Sequence, residues 1–101
     1  MPAIARKGDD TTTGHGCDAI STVIGPTGEE VNVYVNSIGV ECKGNPVAPH
    51  TILAGISCVP HSAVINAGSL TVFVGSIAVA RIGDSTDAGA IIEGSSNVFA
   101  G

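Results

Sequence analysis

Three histidines and three cysteines carry most of the donor chemistry in this 101-residue chain. His15 follows Thr13-Gly14, His50 follows Ala48-Pro49, and Cys58-Val59-Pro60-His61 sets a thiol three residues before the third imidazole. Zn2+ takes imidazole nitrogen and thiolate sulfur in a closed tetrahedron at structural sites, and three His with one Cys make one such set. The expected ligands are therefore His15, His50, Cys58 and His61. Cys17, two residues after His15, competes with Cys58 for the fourth position. The other reading of these residues by themselves is solvated loop histidines beside a small buried thiol. Metal ligation is preferred to a disulfide framework, because the cysteine count is odd and the first ten residues hold no apolar signal core, so the thiols are expected to start reduced.

Catalysis finds less support in the same residues. Cys58 and His61 can be written as nucleophile and base, yet no orienting group or oxyanion-forming Gly loop accompanies them. A zinc-dependent hydrolase, the least favoured alternative, would need an open metal position and a general base nearby. Asp9, Asp10 and Asp18 are near in sequence, but Asp9, Asn45 and Asp84 recur at one position of a repeat, which marks them as turn-capping residues. No enzymatic activity is expected.

The elements that must position these residues follow from composition and self-similarity. Val and Ile number 23 against two Leu and one Met, and 14 Gly with five Pro supply many turns. β-branched side chains suit a pleated surface and lose rotamer freedom on a helix, so an all-β domain of short strands is predicted. Residues 31–45 (VNVYVNSIGVECKGN) and 70–84 (LTVFVGSIAVARIGD) align without a gap. The end of the chain, SNVFAG (96–101), continues in the same register into its beginning, MPAIARKGD (1–9), as a third copy. Tyr34, Phe73 and Phe99, the three aromatics, fall at one position.

Each copy reads as a hairpin: an alternating strand (Val31, Val33, Val35; Leu70, Val72, Val74), a turn at Asn36-Ser37 or Gly75-Ser76, and a second strand ending in Gly-Asp or Gly-Asn. The third hairpin is built from both termini, which must lie side by side. A single domain over residues 1–101 with approximate threefold symmetry is predicted. Val33, Val72 and Val98 must point away from the aromatics, so one set can fill the core while the other is covered by loops or forms an apolar surface for a partner. Residues 46–50, 10–15 and 85–90 are read as equivalent loops, the last without a ligand, and residues 51–67 as an insertion. Cys42, at the position of Arg6 and Arg81, is expected to be a packed thiol.

The net charge of −5 with no Lys/Arg cluster argues against nucleic acid, whose phosphates are bound by concentrated positive charge. No apolar run is long enough for a helical membrane span. The chain is expected to stay soluble unless a machine exports it whole.

The units AIARKGD (3–9) and AVARIGD (78–84), the following Thr-Gly-His15 and Ala-Pro-His50, and Gly-Ser-x-x-Val-Phe at 68 and 94 resemble the PAAR-repeat family over essentially the whole chain. The resemblance implies a small β-cone seated on the blunt end of a trimeric β-helical spike, in a contractile phage tail or a type VI secretion system. It implies a zinc near the apex, held by His15, His50, His61 and, as the best thiolate, Cys58. Many members carry a Cys in the loop where this chain has Asp87-Ala88-Gly89, which is why Cys17 stays in reserve. The implied partner is a trimeric spike bound by one monomer through the pseudo-threefold base, with Tyr34, Phe73 and Phe99 as contacts. The phage-tail form, located on the virion, is favoured; a type VI tip or effector adaptor, made in the bacterial cytoplasm and exported, is the alternative, with cargo held at the insertion.

Overall fold

A computed structural model describes residues 1–25 and 33–101. The fold is all-β, with ten strands among the described residues, paired as antiparallel hairpins. Val31 of the first expected strand lies outside those residues.

Two hairpins match the sequence expectation at their turns. Tyr34–Val35 (β3) pairs with Ile38–Gly39 (β4), and Phe73–Val74 (β7) pairs with Ile77–Ala78 (β8), in one register. Asn36 and Ser37 have φ of 57° and 65°, and Gly75 and Ser76 have 57° and 68°, as a two-residue turn between twisted strands requires. The first strand of each hairpin is two residues long rather than the five expected, extended by a single bond to the preceding Val33 or Val72 carbonyl. The terminal pair is built alike: Ala3 bridges Phe99, and the Ile4 amide donates to Val98 at 3.0 Å.

The three copies bond to one another in a closed ring. Arg6 bridges Val40, Cys42 bridges Val79, and Ile4 bridges Arg81, so each copy pairs with the next and the last with the first. Between these bridges the amides of Glu41, Ala80 and Ala5 donate in turn to the carbonyls of Ala5, Glu41 and Ala80 at 3.0, 2.9 and 2.9 Å. Gly8, Gly44 and Gly83 end the copies with the same φ of 92°. Asp9 and Asp84 then cap their turns, each carboxylate accepting from the amide and guanidinium of Arg6 or Arg81.

Two small apolar clusters include residues of this ring. Ile4, Val35, Val40, Val79 and Ala100 pack with Cys42, which is buried as a thiol as expected, and Val23, Val47, Ile65 and Ile91 pack against Ala5 and Ala80. The aromatics take no part: Tyr34, Phe73 and Phe99 are 62%, 54% and 46% exposed.

Beyond the ring the chain departs from the expected loops. Pro46–Ala54 (β5) and Ser57–Val64 (β6) form one long hairpin, here called the finger, with a bulge between Val47 and His50. Asp10–Thr12 (β1) pairs with Ile20–Thr22 (β2), and Ser85–Thr86 (β9) with Gly89–Ala90 (β10). The finger replaces both the loop expected at 46–50 and the insertion expected at 51–67. The molecule measures 41 × 26 × 22 Å.

Candidate metal centre

Three elements bring the histidines together. On the finger His50 and His61 are direct cross-strand partners, so both side chains stand on one face with ring centroids 5.3 Å apart. His15 arrives from the loop between β1 and β2, its ring 5.2 Å from that of His61.

The group at their centre is Asp87, the first residue of the two-residue turn between β9 and β10. His15 Nε2 and His61 Nε2 lie 2.8 and 3.0 Å from its Oδ1, and His50 Nε2 lies 2.8 Å from its Oδ2. Asp87 sits at φ 46°, a region open to Asp more than to most L residues. Its hairpin is pressed against the His15 loop. A Cβ on Gly89 would lie 2.1 Å from the Thr12 carbonyl oxygen, and one on Gly14 would lie 2.2 Å from that of Ala88. Only hydrogen at these α-carbons lets the backbones carrying Asp87 and His15 approach so closely.

The electrostatics fit a cation. Burial raises the Asp87 carboxyl, but the hydrogen bonds from His15, His50 and His61 outweigh it and hold the group down at about 2. Burial alone would lower His50; bonding to the Ala48 carbonyl and to Asp87 outweighs that and raises it. The Ala48 oxygen, 2.9 Å from His50 Nδ1, can only accept, so Nδ1 carries a proton. In the neutral ring Nε2 is then a lone pair aimed at a carboxylate, and a proton or a metal ion must lie between them. Metal-ligating histidines commonly donate their second nitrogen to a backbone carbonyl in this way.

The ligand atoms of His15, His61 and Asp87 lie within 4.8 Å of one another, and this group could hold a metal ion. A tetrahedral zinc centre with bonds of ~2.0–2.2 Å sets its donors roughly 3.3 Å apart, a few tenths of an ångström beyond the present hydrogen bonds. His50 faces the other carboxylate oxygen, where it can join the shell or orient Asp87.

Cys58 is not part of this group. It forms a disulfide with Cys17, which corrects both the expected thiolate ligand and its reserve. The physical reason is strand alternation: β6 is continuous through both residues, so a spacing of three puts Cys58 and His61 on opposite faces. A C-x-x-H pair converges on one ion from a turn, which this segment is not. Cys58 instead stands over the face of Leu53 and Thr51, where residues 14–18 lie along the finger. Gly16 packs on Leu53, Asp18 accepts from the amide and hydroxyl of Thr51 at 2.8 Å each, and Cys17 reaches Cys58.

Sequence reasoning missed Asp87, reading its loop as ligand-free. The signal was its place after the copy at 70–84, in the loop equivalent to those that carry His15 and His50 after the other two copies. No protein-family model and no curated protein matches this chain.

Proposed function

We propose that the chain is a structural spike tip of the PAAR-repeat kind, which caps the end of a trimeric β-helical spike and sharpens it for penetration of a target envelope by a contractile phage tail. The observation that carries this reading is the closed ring of three like copies, each bridging the next through the same pair of repeat positions. A single chain that must sit on a threefold end can offer near-equal contacts to all three subunits if its own surface repeats three times. On this reading the ring is pseudo-threefold and the three exposed aromatics, Tyr34, Phe73 and Phe99, are the repeated contact. Apolar side chains left on the surface of so small a core favour a partner that covers them.

The His–Asp cluster is read as a zinc site in which His15, His61 and Asp87 hold the ion and His50 completes or orients the set. The ion would supply no turnover; it would fix the finger, the His15 loop and the β9–β10 turn as one rigid point, adding folding free energy where little apolar burial exists.

The test is stoichiometry. Mixed with the trimeric spike of a contractile tail, the chain is expected to form a complex of one copy per trimer, read by native mass spectrometry. Tyr34→Ser and Phe73→Ser together should weaken it at least tenfold. Three copies per trimer, or no complex, would overturn the reading. The adaptor reading, with cargo on the finger, instead requires a second partner whose binding survives those two substitutions.

A further inference from the structure

Among the described residues the disulfide is the one covalent tie between segments that carry metal-site histidines. Cys17 stands two residues after His15, and Cys58 three residues before His61. Both cysteines are exposed, as are Gly14, Gly16, Asp18 and Ala19 around them. Residues 14–18 therefore have almost no burial to order them. Their remaining ties are the backbone approach of Gly14 to Ala88, the contact of Gly16 with Leu53, and a few hydrogen bonds: Thr13 with Ala19 and Asp18, the His15 amide with the Thr13 hydroxyl, and Asp18 with Thr51. Finger and turn hold His61 and Asp87, whereas His15 reaches Asp87 from this exposed loop.

We propose that the Cys17–Cys58 disulfide is a redox latch that sets the metal affinity of the His15, His61 and Asp87 group. This inference rests on the metal-site reading above and adds its regulation. In the oxidised chain the latch fixes the loop on the finger and presents His15 to the ion. A thiol reductant of the glutathione class opens it: two RSH molecules give up two electrons and two protons, becoming RSSR, and the sulfur–sulfur bond becomes two thiols. Exposure leaves both sulfurs open to that exchange. His15 is then held only by those non-covalent ties of an exposed loop, so each binding event must also order more of residues 14–18, and affinity falls. Linkage makes the effect reciprocal: bound metal favours the disulfide over the dithiol by the factor that the disulfide adds to metal affinity. A chain kept reduced would bind metal weakly and tighten on reaching oxidising surroundings.

Co2+ titration of the full chain tests this, comparing the disulfide form, the form reduced with a phosphine, and Cys17→Ser/Cys58→Ser, which mimics the reduced state without thiols. The disulfide form is expected to bind about tenfold or more tightly than the other two, without a sulfur-to-cobalt charge-transfer band. In glutathione redox buffer, Zn2+ is expected to shift the equilibrium toward the disulfide by the same factor. Equal affinities in all three forms would overturn the latch while leaving the metal reading intact. Tighter binding by the reduced form, with a charge-transfer band, would also overturn it by making the thiols ligands. Failure of the disulfide form to bind Co2+ or Zn2+ would sink the metal reading and the latch together.

Discussion

Asp87 is an unusual centre because one carboxylate serves three imidazoles, and the metal-free chain can satisfy that arrangement only with protons. Its folded pKa of about 2 lies below the ordinary value of 3.8. A depressed carboxylate contributes stability that is complete above its unfolded pKa and is lost as pH falls through the folded one. For a shift of this size that is about 2 kcal/mol, lost between roughly pH 4 and 2. His50 runs the other way: its folded pKa is raised above 6.5, so its contribution is complete below pH 6.5 and disappears as pH rises through the raised value. Metal-free protein should thus be most stable in the mildly acidic range between these windows. Added zinc, which competes with protons for the imidazoles, should stabilise more as pH rises from 6 to 8. Urea denaturation of chelated and zinc-loaded protein across this range checks both slopes. Asp87→Asn should lose about 2 kcal/mol in the metal-free state at pH 6, and the gap from the parent should close near pH 2. A gap independent of pH would show that the carboxylate charge is not what the histidines hold. None of this was legible in the sequence, where Asp87-Ala88-Gly89 reads as an ordinary turn. The donors expected there were nitrogen and sulfur, and the carboxylate becomes central only when the finger folds over it.

Hairpins supply the positioning, and their legibility differed for reasons of chain geometry. The turns at Asn36-Ser37 and Gly75-Ser76 could be read because two successive residues with positive φ demand a short list of side chains. The finger could not. Pro46, Pro49 and Pro60 interrupt its pattern, and Pro lacks the amide that a sheet interior needs. A two-stranded ribbon tolerates them: Pro49 falls in the bulge, and Pro60 opposite Thr51 lies on a strand with one open edge. Without the finger, alternation could not be applied to Cys58 and His61, and the disulfide stayed hidden. Gly89 tests how far the site depends on packing between elements. A Cβ there would meet the Thr12 carbonyl oxygen at 2.1 Å, so Gly89→Ala must push the β9–β10 hairpin away from β1 and draw Asp87 off His15. The expected cost is about 1–3 kcal/mol of stability with a loss of metal affinity of roughly tenfold or more. Gly55→Ala, at the fingertip, is the control. Its φ of 65° makes alanine unfavourable by ~1 kcal/mol, yet nothing lies within 4 Å of the added Cβ. Its Co2+ affinity should be unchanged. Equal affinity losses in the two variants would mean that global loosening, rather than the approach of these backbones, governs the site.

At the scale of the molecule the ring closes through the chain ends, and this part of the fold was readable because the third repeat is complete only when residue 101 is written before residue 1. Ala3 bridges Phe99, the Ala100 amide donates to Pro2 at 3.0 Å, and Ala100 is buried in the apolar cluster with Ile4. If closure is what holds the domain, the position of the chain break should matter little so long as every copy is intact. In the other two copies the corresponding turn is Asn36-Ser37 or Gly75-Ser76, and in the third it is Gly101-Met1. A permutant that joins Gly101 directly to residue 1, with Met1→Ser to suit the turn, and that opens the exposed fingertip after Gly55, should therefore fold. Deleting residues 98–101 should instead cost about 3 kcal/mol or more, since it removes a buried alanine, a packed valine and the ladder that closes the ring; small domains hold only ~5–15 kcal/mol in all. Urea midpoints and Co2+ spectra decide between these outcomes. The permutant should keep the parental spectrum and a midpoint near that of the parent, whereas the truncated chain should lose most of its transition. A stable truncated chain, or a permutant that fails to fold, would mean that the three copies hold together by packing alone and that the junction of the termini is incidental.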